Sequence, residues 1–312
     1  MKLLKKEFVF TGTPSVPSCH ASTLVRLADG TVICAWFAGT HEKHPDVGIW
    51  YTVGKDGVWS DARRIPSKKQ IAHWNPVLFV QKDGTVHLCY KVGETIPDWK
   101  TMTVTLDATF EPSTPHEFIP GDRSGGRGPV KNKPIYTSSG TLLAPASTER
   151  GVWKPFVDLY DASHGWQKID IPTNGRVNLI QPTLWEAKDG SVHALMRSND
   201  GHIYRSDSCD GGKSWCEAYP TDLPNNNSGI DCVMTADGRL ALVCNPVKDD
   251  WGKRTPLSVL LSSDGGNSFF EALQLENDEG EYSYPAVISH GDRLFITYTW
   301  RRTAIAYCEI QL

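Results

Sequence analysis

The sequence lacks any long apolar segment. Hydrophobic residues make up 39% of its 312 residues, and no stretch approaches the roughly 18 consecutive apolar residues that a membrane-spanning helix requires. The first residues, MKLLKKEFVFTG, also lack the apolar core of about 7–15 residues found in signal peptides, because Lys5, Lys6 and Glu7 interrupt them. We therefore predict a cytoplasmic protein that has no membrane partner.

The sequence also lacks an excess of positive charge. Its 32 Lys and Arg residues are outnumbered by 36 Asp and Glu residues, which gives a net charge of −4 and a pI near 6.2. Nucleic acids and anionic membranes require a basic surface on the protein that binds them. Neither is therefore predicted as a partner.

Spacings typical of metal sites are missing as well. The eight cysteines include no C-x-x-C pair and no zinc-ligand spacing, and His41 and His44 flank Glu42 at a spacing that differs from H-E-x-x-H. Four cysteines lie inside apolar runs, where a thiol behaves as a small core residue: Cys34, Cys89, Cys232 and Cys244. We predict a reduced protein that needs neither a metal nor another cofactor.

Helical periodicity is almost absent, and a strand–turn–strand pattern takes its place. The pattern occurs six times, each time as an apolar run, a turn that contains glycine, and a second apolar run. The turns lie 48 to 56 residues apart, at residues 29–30, 83–84, 139–140, 189–190, 237–238 and 291–292. A period of about 50 residues is typical of the four-stranded blade of a β-propeller. We predict that residues 1–312 form a single all-β domain, a six-bladed β-propeller with four antiparallel strands per blade.

Four of the six hairpins start with a polar residue followed by a proline: Pro76, Pro134, Pro182 and Pro285. The first strand of a propeller blade lies at the central axis as an edge strand, where a proline costs no ladder hydrogen bond. The residue before such a proline is expected to be extended. The six strand starts would surround one pocket at one end of the axis, and they carry His20, Asn75, Lys133, Gln181, Ser228 (after Asn227) and Tyr284.

The second strand of each hairpin returns to the same end of the predicted propeller. Residues at or just beyond the ends of these strands are again polar or charged: Glu42, Asp46, Lys91, Glu94, Glu149, Arg197, Asn245, Arg254 and Arg301. Two rings of such residues at one end predict a polar, partly cationic pocket, which suits an acidic sugar.

Two further turns share the pattern S-x-D-x-G-x-[ST]-[WF], at residues 208–215 and 262–269. In such a turn the aspartate accepts backbone hydrogen bonds, the glycines permit positive φ, and the aromatic residue packs between blades. The pattern resembles the Asp-box of the sialidase superfamily. Together with the six-fold repeat, it makes nearly the whole chain similar to the bacterial BNR-repeat, or "predicted neuraminidase", branch of that superfamily.

The resemblance implies roles for individual residues. Sialidases hold the substrate carboxylate with three arginines, attack with a tyrosine that is paired with a glutamate, and use an aspartate as acid and base in a retaining mechanism. The segment SYPAV assigns the nucleophile to Tyr284. The segments ALMRSN and KRTPLS assign the second and third arginines to Arg197 and Arg254.

The remaining catalytic positions match the family less closely. The segment FAGTHEKHPDVG resembles the loop that carries the acid/base, which implies this role for Asp46, with Glu42 as the alternative. His20 stands where the family has its first arginine, and Asn227 or Ser228 stands where the glutamate falls.

Three functions remain open. In the first, an exo-glycosidase removes a terminal acidic sugar from an oligosaccharide: Arg197 and Arg254 bind the carboxylate, Asp46 protonates the leaving oxygen, and Tyr284 attacks. The other predicted substrate-binding residues are Asn75, Lys133, Gln181, Glu149, Asn227, Ser228 and Glu42.

The second function is a polysaccharide lyase that cleaves a uronate linkage, such as a rhamnosyl-glucuronate linkage, by β-elimination. His20 or His73 would be the base and Tyr284 the acid. The third function is a non-catalytic propeller that binds an acidic mono- or oligosaccharide without changing it. The sequence does not predict the oligomeric state.

Overall fold

The computed structural model describes residues 1–67 and 70–312 and is a ring of six antiparallel sheets. This architecture confirms the predicted all-β, six-bladed propeller. The only helix in the described part of the chain is one 3-10 turn, Ile96–Asp98, so the described residues contain no helix that could cross a membrane.

The 25 strands are numbered in chain order, and β1 (Lys2–Thr11) belongs to the last blade. Blade 1 contains β2 (Ser18–Arg26), β3 (Val32–Gly39), β4 (Gly48–Lys55), β5 (Val58–Trp59) and β6 (Arg63–Arg64), which pairs with β4. Blade 2 contains β7 (His73–Val80), β8 (Val86–Val92), β9 (Lys100–Leu106) and β10 (His116–Glu117). Blade 3 contains β11 (Ile135–Tyr136), β12 (Leu142–Thr148), β13 (Lys154–Asp161) and β14 (Gly165–Asp170).

Blade 4 contains β15 (Leu179–Glu186), β16 (Val192–Ser198), β17 (His202–Ser208) and β18 (Tyr219–Pro224). Blade 5 contains β19 (Asp231–Met234), β20 (Leu240–Cys244), β21 (Leu257–Ser262) and β22 (Phe270–Glu276). Blade 6 contains β23 (Tyr282–His290), β24 (Arg293–Trp300), β25 (Ala304–Gln311) and β1. Because β1 pairs antiparallel with β25, the amino-terminal strand closes the ring.

The first strand of each blade lies at the axis. Strand β2 contacts β7 and β23, and β19 contacts β15 and β23, so the first strands of neighbouring blades meet at the centre. The second strands are covered on both faces and are mostly buried, and in β3 and β20, VICAWFAG and LALVC, every residue is buried. The core thus lies between the blades, which leaves the ends of the axial strands for polar residues.

The turns between strands follow their local sequence. Asp29 accepts hydrogen bonds from the N–H and the hydroxyl of Thr31, both 3.0 Å long. In the first Asp-box, Asp210 accepts bonds from the N–H of Ser214 at 2.9 Å and its hydroxyl at 2.6 Å, and the second box repeats this geometry. The first and third strands of a blade run in the same direction, so both kinds of turn lie at one end of the propeller, here named the turn end.

The opposite end, where the axial strands begin, is here named the start end, and its backbone is irregular. In blades 1, 2, 4 and 6 the pairing of the first and second strands slips near the strand start, which is a β-bulge. The residues at the bulges have φ between 44° and 55°: Ala21, Asn75, Gln181 and Tyr284. The expectation that the residue before the proline is extended is therefore wrong for Asn75, Gln181 and Tyr284, because the bulge rotates these residues out of the ladder.

Candidate active site

Tyr284 lies at the start end, and its phenol is held by Arg197. The Arg197 guanidinium donates a 2.5 Å hydrogen bond from Nη1 to the phenol oxygen and a 2.6 Å bond from Nε to Oδ1 of Asn227. Arg197 is only 3% exposed and Tyr284 9%. No described carboxylate forms an ion pair with Arg197, so the site contains a buried positive charge without a counter-charge in contact.

Two further cations lie against the ring of Tyr284. The guanidinium carbon of Arg254 is 5.6 Å and Nζ of Lys131 is 5.9 Å from the ring centroid, within the range of cation–π attraction. Lys131 donates to the carbonyl oxygens of Pro285 at 2.6 Å and Ile230 at 3.2 Å. Burial lowers the pKa of Lys131 to about 8. The aromatic ring therefore lies in a strongly cationic environment.

A chain of ion pairs continues from Arg254 along the rim. Oε1 of Glu281 accepts hydrogen bonds from Arg254 at 2.6 Å and Arg302 at 2.7 Å, and Arg302 also reaches Oε2 of Glu42 at 2.6 Å. Burial acts to raise the pKa of Glu281, but Arg254 and Arg302 outweigh it and hold that pKa below its usual value. These side chains are 14–33% exposed, so an incoming anion can reach them.

His20 packs directly against Tyr284, with ring centroids 4.3 Å apart. Its pKa falls well below 6.5 because burial removes the hydration of the imidazolium and because Arg302 and the neighbouring cations repel a further positive charge. The imidazole is therefore neutral at physiological pH. Its buried Nδ1 has no hydrogen-bond partner among residues 1–67 and 70–312, so its hydrogen-bonding capacity is unused there.

Two carboxylates are candidates for proton transfer, and their environments differ. Burial raises the pKa of Glu149, and the nearby Arg197 offsets only part of this effect. Asp46 lies in the β3–β4 loop, where it accepts bonds from the N–H and hydroxyl of Thr40 at 3.0 and 2.6 Å and lies 2.8 Å from Nδ1 of His44. Burial acts to raise the pKa of Asp46, but these hydrogen bonds outweigh it and lower that pKa. Glu149 thus keeps its proton to a higher pH than Asp46.

Comparison with known protein families identifies the family of this chain. The sequence profile of the BNR repeat-like domain matches residues 30–296, which is most of the chain. The chain belongs to this family. A search of curated protein sequences gave no significant match.

Several solved structures are similar to this BNR-repeat protein. A protein of unknown function from Dyadobacter fermentans aligns with a TM-score of 0.82 at 14% identity, over 100% of this chain and 99% of its own. The Hadza microbial sialidase Hz136 aligns with a TM-score of 0.80 at 17% identity, over 98% and 68% of the two chains. The Trypanosoma rangeli sialidase in complex with sialic acid has a TM-score of 0.77 at 14% identity, over 97% and 58%. The family match confirms the predicted BNR-repeat membership, and at these identities the solved structures show the fold alone.

The BNR-repeat fold brings several predicted residues together. The cluster contains His20, Arg197, Arg254, Asn227 and Tyr284, and Glu42 joins it through Arg302. Asn75, Gln181 and Ser228 are buried at the starts of the axial strands. Oε1 of Gln181 and Oγ of Ser228 are buried and have no hydrogen-bond partner in the described part of the chain, a state that is uncommon in protein interiors.

Lys133 lies elsewhere. It donates to both carboxylate oxygens of Asp231, each at 2.9 Å, and to the carbonyl of Cys232 at 2.8 Å, so it joins blade 3 to blade 5. In blade 3 the left-handed conformation found at Gln181 belongs to Lys131, with φ of 66°. The lysine beside Tyr284 is therefore Lys131.

His73 is also separate from the cluster. Its Nδ1 lies 2.7 Å from the carbonyl oxygen of Ile71 and 3.0 Å from that of Val47, and its ring stacks on Tyr90 at 5.5 Å. It lines a cavity of about 860 Å³ on blade 2 to which Tyr284 does not contribute. The structure thus does not bring His73 together with the predicted nucleophile.

The cysteines and acidic residues form no metal centre in the described chain. All eight cysteines are free thiols, and only Cys209 and Cys216 are exposed. Within residues 1–67 and 70–312, no group of three or more His, Cys, Asp or Glu side chains is placed to hold a metal ion.

Sequence reasoning missed five residues of the cluster: Arg302, Lys131, Glu281, Trp153 and Trp251. The two tryptophans lie 5.7 and 5.4 Å from the Arg197 guanidinium, and Trp251 is 65% exposed. A tryptophan in the polar segment DDWGKR, three residues before Arg254, was an available signal. Arg302 had a weaker sequence signal, which was its position next to the predicted strand-end residue Arg301.

Proposed function

We propose that the protein is an exo-glycosidase of sialidase type that removes a terminal acidic sugar. One observation carries this proposal: the buried Arg197 has no carboxylate partner, and it holds the phenol of Tyr284 while Arg254 lies over the same ring. An acidic ligand would supply the missing negative charge next to the Tyr284 hydroxyl group that this arginine contacts.

Three guanidinium groups are available to the substrate carboxylate. Arg197 forms no ion pair with a described carboxylate, and Arg254 and Arg302 share the carboxylate of Glu281. Arginine binds carboxylates in a bidentate manner, which orients the ligand as well as binding it. Of the neighbouring cations, Arg302 has the largest effect on His20, so it can substitute for the arginine that the family resemblance places at that position.

The reacting groups would act on opposite sides of the glycosidic bond. Tyr284 would lose its proton to solvent water and attack the anomeric carbon, and the hydrogen bond from Arg197 would stabilise the negative charge on the phenol oxygen as it forms. Asp46 or Glu149 would protonate the leaving oxygen as its bond to the anomeric carbon breaks. Water, deprotonated by the same carboxylate, would then displace Tyr284 and release the sugar. The family resemblance favours Asp46, whereas the raised pKa of Glu149 makes it the better proton donor near neutral pH.

The test is incubation with sialyl, glucuronyl, galacturonyl and rhamnosyl-glucuronyl oligosaccharides, followed by mass spectrometry. Hydrolysis gives products whose combined mass exceeds that of the substrate by one water. Tyr284→Phe is the matched control, because it keeps the ring and removes the nucleophile. If a member of the panel binds but is recovered intact, the protein is a binding module and the catalytic proposal is wrong.

A second function, uronate β-elimination, is favoured by the state of His20. This histidine is neutral, has no partner at Nδ1 in the described chain, and contacts Tyr284. It could remove the proton next to the uronate carboxylate, so that a C=C bond forms and the bond to the leaving oxygen breaks, with Tyr284 as the proton donor. Products of unchanged total mass that absorb ultraviolet light, and their loss in His20→Gln, would establish this function instead.

A further inference from the structure

A second cavity opens at the turn end, between blades 2 and 3. Its volume is about 600 Å³, within the range of about 300–1,000 Å³ that is typical of ligand sites. Blade 2 contributes Phe79 and His87, and blade 3 contributes Tyr136, Tyr160 and Trp166. None of the residues of the Tyr284 cluster lines it, so it is a separate site.

One wall of this cavity is formed by aromatic rings. Trp166 contacts Phe118 and Tyr160, with centroids 4.7 and 5.1 Å apart and ring planes tilted by 52° and 54°. Tyr160 is 41% exposed although it is a large aromatic residue. Such rings offer apolar faces to the C–H groups of a pyranose, whose hydroxyls then need polar partners.

His87 provides a polar atom without a partner. Its ring stacks on Phe79 at 5.0 Å and 17°, and its buried Nδ1 has no hydrogen bond within the described residues. Burial lowers the pKa of His87, so the imidazole is neutral. A buried polar atom without a partner costs free energy, which a ligand hydroxyl would recover.

Blade 4 has a histidine at the equivalent position, and there its Nδ1 has a hydrogen-bond partner. His193 follows the same turn sequence, Lys-Asp-Gly-[Thr/Ser]-Val-His, and stacks on Trp185 at 5.0 Å. Its Nδ1 lies 2.5 Å from Oδ1 of its cross-strand neighbour Asp207. The cross-strand neighbour of His87 is Thr105, which leaves Nδ1 open. The two blades therefore differ in whether Nδ1 of this histidine has a hydrogen-bond partner among the described residues.

The charged side chains at this cavity are already engaged. Lys82 lies over the ring of Tyr136 at 5.0 Å and donates to the carbonyl of Gly140 at 3.4 Å. The carboxylate of Asp161 accepts the N–H of Ser163 at 2.7 Å and lies 3.1 Å from His164. This arrangement favours a neutral ligand over a charged one.

We propose that this cavity binds a neutral pyranose unit, packed on Trp166 and Tyr160 and hydrogen-bonded to His87. The site would hold a glycan at the face of the propeller opposite Tyr284. The inference does not depend on the proposed glycosidase activity, because it uses none of the same residues.

The test is a titration with the methyl pyranosides of glucose, galactose, mannose and N-acetylglucosamine, followed by calorimetry and ligand-observed NMR. At least one glycoside should bind, and Tyr160→Ala should weaken it about five- to tenfold through the lost ring contact. Tyr219→Ala is the matched control, because Tyr219 is also 41% exposed but lies on blade 4. It should leave the affinity unchanged.

A second variant tests the hydrogen bond without removing an aromatic ring. Thr105→Asp places a carboxylate opposite His87, as in blade 4, and should weaken binding by a similar factor because Nδ1 is then satisfied internally. Failure of every glycoside to bind, equal binding by wild type and Tyr160→Ala, or tighter binding of indole than of any glycoside would each overturn the proposal. Hydrolysis of acidic substrates should be unchanged in both variants, which separates this site from the Tyr284 cluster.

Discussion

The two ends of the propeller use backbone conformation in opposite ways. At the turns between the first and second strands, which lie at the turn end, positive φ falls on glycines such as Gly30, and Asp29 accepts hydrogen bonds from Thr31, two residues along the chain. At the start end, positive φ falls on Asn75, Gln181 and Tyr284, and buried polar atoms of Gln181 and His20 have no partner in the described chain.

This difference separates the residues that stabilise the fold, at the turn end, from the residues of the candidate active site, at the start end. Left-handed conformations at residues other than glycine, and buried polar groups without partners, both cost free energy and concentrate at functional sites. The repeated turns of the turn end carry neither cost, because glycines adopt the positive φ and the turn aspartates accept hydrogen bonds from residues of the same turn. The start end carries both, together with the buried charge of Arg197, so ligand binding can recover more free energy there than at the turn end, where the cavity beside His87 offers one buried atom of this kind.

The largest expected effect comes from Tyr284→Phe, which removes the phenol oxygen that Arg197 holds and keeps the ring at the start end. If Tyr284 is the nucleophile, kcat on the acidic substrate should fall by at least roughly 10³-fold. The free energy of unfolding should fall by no more than about 2 kcal/mol, since one hydrogen bond is lost. Steady-state kinetics and urea unfolding measure both, and near-wild-type turnover would exclude this role.

The next effect concerns stability. Asp231 accepts hydrogen bonds from Lys133, the hydroxyl of Thr183 at 2.8 Å and the N–H of Val287 at 2.8 Å, so it joins blades 3, 4 and 6 to blade 5. Asp231→Ala leaves Lys133 without its counter-charge, which should cost about 3–5 kcal/mol in urea unfolding.

The control is Asp231→Ala combined with Lys133→Met, which should recover part of that loss because no unpaired charge remains. A loss below about 1 kcal/mol in the single variant would show that this ion pair does not hold the start end together.

The fold could be predicted because its signals are local and repeated, whereas the site depends on where the bulges fall. In blades 2, 4 and 6 the left-handed residue directly precedes the proline, as in Tyr284-Pro285. In blade 3 it is Lys131, three residues before Pro134, so the proline indicated Lys133 instead. A proline marks the strand start but does not fix the residue at which the pairing slips.

Arg302 could not have been assigned from the sequence for a different reason. Arg301 and Arg302 both adopt positive φ in the turn before β25, and only the turn geometry decides which one faces the cluster. The contact that fixes Arg302 is its ion pair with Glu42, 260 residues away in the chain. Such a contact follows from ring closure, which no local pattern contains.

A smaller effect distinguishes the two carboxylates of the start end. If Glu149 is the general acid, it must be protonated, and its raised pKa should keep kcat/KM high to a more alkaline pH than an ordinary carboxyl allows. Glu149→Gln should lower kcat about 10²-fold and remove this alkaline limb from the pH profile, with a smaller effect from Asp46→Asn. The opposite ranking, with an unchanged alkaline limb in Glu149→Gln, would assign the proton transfer to Asp46.

The smallest expected effects on stability test the difference in backbone conformation between the turn end and the start end. Gly84, at the turn end, has a φ of +88°, and a Cβ added there would have no atom within 4 Å. Gly84→Ala should therefore lower the free energy of unfolding by about 1 kcal/mol through backbone conformation alone. Gln181→Gly, at the start end, should raise the free energy of unfolding by up to about 1 kcal/mol. Glycine adopts the left-handed φ of 54° without strain, and the substitution removes the buried Oε1, which has no partner in the described chain. Substrate affinity should fall in the same variant, which urea unfolding and KM together would show. A loss of stability in Gln181→Gly would mean that packing, rather than ligand binding, keeps this strained residue in place.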